Sequence, residues 1–335
     1  MKAYKGFNSD LTCRGFQFEE GKEYHEDIAD LCNSGFHACE APLDCFSYYS
    51  PNNSVYHVVE LDEVSERRSH DSKICGKHIK IGASVSIAEL CALHIEYVRS
   101  RCTHMNAAEN GELVTAGDHE AATAGVCGAA TADDYGTATA GIRGAATAGI
   151  CGAATAGIHG TATAGDRGAA IAGYHGAATA GNFGAAIAGT RGVATAGNCG
   201  AATAGVYGLA ATGNQGVAAA GKCGVATTGN HGVATAGNFG AAIAGNYGAA
   251  ISGNRGTASS RGASSVGVDG IALSRGVDVK VKGGLGSILV IAEEDGYDGA
   301  IKEWKAEVVD GERIKADTWY ALQYGEFVEV PEDEE

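Results

Sequence analysis

The sequence predicts a mainly β protein: a Gly/Ala/Thr-rich parallel β-solenoid, with a small α+β domain before it and a small acidic β domain after it. Three observations predict this class. From Thr115 to Ala258 one eight-residue phrase, [T/I]-A-G-x-x-G-x-A, recurs through 18 octads with few substitutions. A fixed short period marks a solenoid, in which each unit buries its face only against its neighbours. Gly is 52 of 335 residues and Pro only 3, which excludes the Gly/Pro triplet period of collagen. Charge also changes at both borders: residues 1–111 carry a net of −6, residues 112–258 a net of −1 and residues 259–335 a net of −9. The expected boundaries are 1–105 for the head, 112–275 for the solenoid and 276–335 for the cap.

In the head, Val55–Leu61 and Ile79–Ile81 read as strands. The stretch SVSIAELCALHIEYVRSRC, residues 84–102, reads as a helix. Ser86 and Glu89 form a capping box, and Ile87, Leu90, Cys91, Leu93, His94, Tyr97 and Val98 recur at helical spacing. In the cap, Asp310-Gly311 lies between two β-like runs and reads as a tight hairpin turn.

Within the repeat, the first variable residue separates by parity. One series of octads has Asp or Asn there with a single exception; the other is mostly β-branched or apolar until its last two members. The structural period is therefore sixteen residues, two octads per coil, which makes nine coils. Each octad supplies a short strand, x-A-[T/I]-A, and a corner, G-x-x-G. The alternating Ala pair, such as Ala146 and Ala148, points inward and the Thr/Ile position outward. The glycines are expected to supply positive φ or close backbone approach, and Asp/Asn to make one corner the tighter, left-handed one.

The second corner residue varies most. One edge displays Arg143, His159, His175, Arg191, Tyr207, Phe239 and Arg255; the other displays Phe183, His231 and Tyr247. These are two contact rows for an extended partner, or exposed positions that tolerate any residue. His159 and His175 stand one coil apart with no carboxylate or thiolate converging on them, so no metal is expected. No cofactor is expected either.

The totals narrow the function classes. No apolar run is long enough for a membrane helix and no signal peptide is visible. Eleven scattered Cys without a C-x-x-C motif suggest free thiols in a reducing compartment, the cytoplasm. No basic stripe exists, which argues against direct nucleic-acid binding. A net charge of −16 leaves an acidic nucleic-acid mimic open, and the Thr positions leave an ice-binding ladder open. The nearly uncharged flat faces suggest instead a scaffold that self-associates as a dimer or trimer and binds a protein partner of unknown identity. The head and cap are expected to cover the solenoid's open ends.

The A-x-A-x-G phrasing of residues 115–258 resembles the β-roll repeats of trimeric autotransporter heads, which implies a solenoid that trimerises. Over the whole chain, the GAATAG-type octads behind a small N-terminal module resemble uncharacterised phage and prophage proteins; counter-defence would suit that class. Three head segments, AYKGF (3–7), GFHACEAPLDCFSYY (35–49) and VYHVVELDE (55–63), are similar to pieces of ADP-ribosyltransferases. That resemblance implies roles for Lys5 or Tyr4, for His37, for Tyr49 or Tyr48, and for Glu60 or Glu63 as the acid. No nucleophile elbow, phosphate loop or His-Glu metal motif is present.

Overall fold

A computed structural model describes residues 1–66, 72–296 and 299–331. The protein is mainly β, with a parallel β-solenoid of about 12 turns, a small N-terminal domain and C-terminal strands. It divides into two compact units. The first comprises Met1–Ala172, Ala178–Ile187 and Cys199–Ala201; the second comprises Gly173–Ala177, Ala188–Asn198 and Ala202–Glu335.

The first unit opens with a five-stranded antiparallel sheet in the order Glu23–His25, Lys73–Val85, Phe36–Cys39, Lys2–Asn8, Ser54–Val64, closed on itself because Ser54–Val64 also pairs with Lys73–Val85. The strands expected at Val55–Leu61 and Ile79–Ile81 are the middles of its two long strands. One face buries Ala3, Phe7, Val59, Leu61, Ile74, Ile79 and Ile81. On Tyr4's side pack a 3-10 turn, Pro42–Ser47, and helix α1 (Ile87–Arg101). Helix α1 starts as its sequence predicts: Ser86 N–H donates to Glu89 Oε2 at 2.9 Å and Glu89 N–H donates back to Ser86 Oγ at 3.3 Å.

Helix α1 overturns one expectation. The head was expected at the open end of the coils, yet α1 lies along their flank, against strands Thr137–Ala140, Ala153–Ala156 and Ala169–Ala172. Leu90 and Cys91 share a core with Ala169, Ala185 and Ala201, edged by Ile171, Phe183 and Ile187. Alanine at the first position of the strands, as at Ala153 and Ala169, lets the helix sit close, and Thr137 takes that buried place in the first strand. Ile171 and Ile187 in place of threonine supply apolar contact. The first strands of the ladder, Met105–Ala108 and Leu113–Ala116, remain uncovered at Met105 (63% exposed) and Leu113 (68%).

The sixteen-residue coil is present. Ala145 pairs with Thr161 and Ala153 with Ala169, each in parallel register sixteen residues on. Ala146 and Ala148 point inward, 1% and 3% exposed, so the two sheets approach as closely as methyl groups allow. The turn number exceeds the expected nine because the ladder outruns the octad phrase. It begins at Met105, before the phrase. In the second unit it continues as Thr257 pairs with Ile271 and Ile271 with Ile288, through coils of 14 and then 17 residues.

Inward side chains grow along that stretch of the second unit, from Ala258 to Ser264 and Ser274 and then to Leu289 and Ile291. The strand Ile288–Glu294 is closed by the antiparallel strand Ile301–Val308, so the C-terminal segment covers the ladder's last edge in that unit. The expected hairpin at Asp310-Gly311 is not formed. Asp310 Oδ1 instead accepts the backbone N–H groups of Glu312, Arg313 and Ile314, holding an irregular loop. The tight hairpin falls at Tyr324-Gly325, both left-handed at φ 52° and 75°, between Trp319–Gln323 and Glu326–Val330.

Candidate functional site

The corners differ from the sequence's expectation in a way that bears on function. Sixteen of the 18 octads turn through G-x-x-G, with Glu120 and Asp133 each standing at one glycine position in the other two. The corner is closed by a hydrogen bond from its last residue to its first, as Gly144 N–H to Gly141 O at 3.1 Å and Gly136 N–H to Asp133 O at 3.2 Å. The left-handed residue is neither glycine nor the Asp/Asn position. It is the second variable residue in all 18 octads, with φ between 52° and 59°, and both edges share this geometry. Its N–H thereby points along the stack and donates to the next coil, as Arg143 N–H to Ile158 O at 2.8 Å and Tyr207 N–H to Lys222 O at 2.9 Å.

The glycines serve close approach alone. A Cβ on Gly144 would stand 2.8 Å from both Gly128 O and Ala140 Cβ. Asp and Asn hold the coils from the side: Asp134 Oδ1 accepts Ile150 N–H at 2.7 Å, and Asn214 Oδ1 accepts Asn230 N–H at 2.8 Å.

The variable rows stand in register at the coil spacing of roughly 4.8 Å, which is also a ring-stacking distance. In the second unit His175, Arg191, Tyr207, Cys223, Phe239 and Arg255 follow one another on successive turns. Arg191 lies 5.6 Å from the Tyr207 ring, Lys222 5.6 Å and Arg255 5.9 Å from the Phe239 ring, while Tyr207 stays 58% and Phe239 49% exposed. On the other edge of that unit, His231 stacks on Tyr247 at 5.1 Å.

The first unit treats its rows unequally. Arg143 and His159 are exposed. His119 stacks on Tyr135 at 4.9 Å, but Cys151 is buried beside the head, its thiol pushed up to about 11 chiefly by burial. Phe183 packs into the core beneath α1. Phe183 is therefore held by the fold, whereas the second unit's row is presented to solvent.

A second candidate lies in the head, a cavity of about 450 Å³. Lys5, His37 and Tyr49, together with Tyr4 and Tyr48, line it; Glu60 does not. Glu60 is exposed on the strand Ser54–Val64, in register with Lys2 and Lys80. Glu63 is also outside the lining, paired with Lys77 at 3.1 Å and His78 at 3.3 Å.

Lys5 comes from an interior strand, buried to 7% exposure, with its Nζ donating to His37 O at 2.9 Å. His37 Nε2 accepts the N–H of Cys32 at 2.8 Å, and burial, then Lys5 and Lys73, hold its pKa below the ordinary value. His37 is thus a neutral ring with its Nε2 lone pair occupied. Tyr49 lies flat on Gly6, where a Cβ would meet the Tyr49 Cβ at 2.5 Å; its hydroxyl titrates above the ordinary value through burial and a hydrogen bond to Cys13. Sequence reasoning missed Arg14, Phe16, Phe18 and Phe36, which also line the cavity. Their signal was the clustering of aromatics in CRGFQF and SGFHAC.

Among the described residues no group of three or more His, Cys, Asp or Glu could hold a metal ion, and no helix is long and apolar enough to cross a membrane. Residues 1–93 match the family described as a domain of unknown function (DUF7666), a span that contains the whole cavity lining and ends within α1. No curated protein and no solved structure matches the chain.

Proposed function

We propose that the chain is a non-catalytic binding scaffold, phage-derived and cytoplasmic, whose corner rows contact a protein partner. One observation carries this reading. All 18 octad corners demand a left-handed residue, yet none holds Gly, Asn or Asp, the types that adopt that conformation most easily. The same chain uses Asp269 and Asp278 at left-handed positions past the octads. A left-handed L residue costs roughly 1–2 kcal/mol, so Arg, Tyr, Phe and His are kept there against the local energetics. Arg and Tyr are also enriched at binding hot spots, and Phe at interfaces.

Self-association is the second part of the proposal. Val193, Leu209 and Val225 pair in register on one sheet of the second unit and are 42%, 38% and 37% exposed. An uncharged apolar stripe on an exposed sheet face supports association between copies. The nucleic-acid mimic is less well supported, because Asp134 and Asp166 spend an oxygen each on backbone N–H groups of the neighbouring coil. The transferase alternative lacks an acid in the cavity beyond Glu26.

The test uses two variants of the full chain, Tyr207→Ala/Phe239→Ala in the row and Leu209→Lys/Val225→Lys on the stripe. Light scattering is expected to give an oligomer for the wild type and the row variant and a monomer for the stripe variant. Affinity capture from a bacterial host extract is expected to lose a specific protein with the row variant alone. A monomeric wild type sinks self-association, and identical capture by wild type and row variant sinks the contact row.

A further inference from the structure

Independently of the corner rows, we infer that the head cavity is a binding site for a small aromatic anion, with Lys5 receiving the negative group. Lys5 shares its strand face with Ala3 and Phe7, and its Nζ lies 5.3 Å from the Phe7 ring. Of the three N–H bonds an ammonium can donate, it uses one, to the His37 carbonyl. No carboxylate among the described residues lies within 4.0 Å of it. A buried cation without a counter-charge is costly unless something compensates it, and this one lines an open cavity of about 450 Å³, the size of small-molecule pockets.

The rest of the lining says what else the ligand carries. Arg14 and Lys73 add positive charge; Glu26 is the one acid. The charge field is felt at His37, whose proton affinity Lys5, Lys73 and Arg14 all lower after burial does. The lining also holds an aromatic cluster, Phe16 4.8 Å from Phe18 and 5.5 Å from Tyr24, with Phe16 half exposed. The half-exposed Phe16 ring offers a flat ring a packing partner. Cys32 at the cavity is held left-handed at φ 74° with its N–H on His37, so the loop is built around this pocket at a conformational cost.

The experiment is calorimetric titration of the full chain with phenyl phosphate, with inorganic phosphate and with phenol. Phenyl phosphate is expected to bind one per chain with a Kd of about 1 mM or tighter, reasonable for about ten heavy atoms. Inorganic phosphate and phenol are each expected to bind at least about tenfold more weakly, because each lacks half the contacts. Lys5→Met is expected to weaken phenyl phosphate at least about tenfold; the rim variant Arg14→Gln, which leaves the core intact, is expected to weaken it about threefold. Absence of saturable phenyl phosphate binding overturns the inference. So does equal affinity for inorganic phosphate, for phenol, or for the Lys5→Met chain when circular dichroism shows that chain folded. Tightness unchanged in Arg14→Gln, with Lys5→Met misfolded, overturns it as well.

Discussion

Replacing corner residues with glycine should stabilise this protein, against the usual expectation for glycine in a β structure. Arg143 in the first unit and Cys223 in the second are left-handed at φ 58° and 57°. Neither side chain has a hydrogen bond, ion pair or ring contact among the described residues. Relieving a left-handed L residue returns roughly 1–2 kcal/mol, and the extra freedom of glycine in the unfolded chain takes back roughly 0.5–1 kcal/mol. The net is about 0.5–1 kcal/mol per corner, and the two sites, in different units, should add.

Arg143→Gly/Cys223→Gly is therefore expected to gain about 1–2 kcal/mol in urea unfolding, or about 1–3 °C in Tm for a chain of 335 residues. Tyr247→Gly supplies the contrast. It relieves the same strain but removes the ring stacked at 5.1 Å on His231, worth roughly 0.5–1.5 kcal/mol, so its stability should change little. A loss of stability in the double variant would refute the argument, because the corners would then not be strained in any sense that matters energetically.

Three other outcomes follow from the same geometry. Gly144→Ala places a methyl 2.8 Å from the Gly128 carbonyl and should cost about 1–3 kcal/mol by the same urea titration. Asn214→Ala removes the acceptor of Asn230 N–H and should cost about 1 kcal/mol, with faster amide exchange at Asn230 as its local signature. His94, fully buried between α1 and the coils with Asp44 and Cys151 as titratable neighbours, is pushed down from 6.5 to about 4, chiefly by burial. Its folded state binds the proton less well than the unfolded chain, so stability is intact above about pH 6.5 and falls between there and about pH 4, by about 3 kcal/mol at most. His94→Leu should flatten that part of the pH profile, and an unchanged profile would exclude His94 as its source.

The coil was legible because it depends on periodicity alone: the Ala pair at period two and the Asp/Asn series at period sixteen fix which residues turn inward and which strands meet. The corner's backbone was not legible, since the usual correlation assigns left-handed φ to Gly, Asn or Asp, and here crowding between coils claims the glycines first. The flank position of α1 was hidden for a different reason. Ala153, Ala169 and Ala185 read as further copies of a small-residue repeat, and only their pairing with Ile171 and Ile187 marks a covered face. In the head, Lys5 and His37 entered the sequence argument through segment likeness, while the aromatic cluster and the outward direction of Glu60 depend on strand register that no single segment encodes.

The corner geometry also explains why a solenoid suits a contact row. The left-handed residue is needed so that its N–H reaches the next coil, as from Cys223 to Asn238 O at 2.9 Å, and the same requirement on every turn forces successive side chains into one line. Because the coil spacing and the ring-stacking distance nearly coincide, a ring on one turn meets a ring or a guanidinium on the next without any rotamer search, as Arg191 and Tyr207 do. A side chain prepositioned in that way loses less entropy when a partner arrives, so each corner can contribute more to binding than the same residue on a loop. The strain at the corner and the order of the row are thus consequences of one hydrogen bond per turn, and a change of residue there alters the surface while leaving the ladder whole.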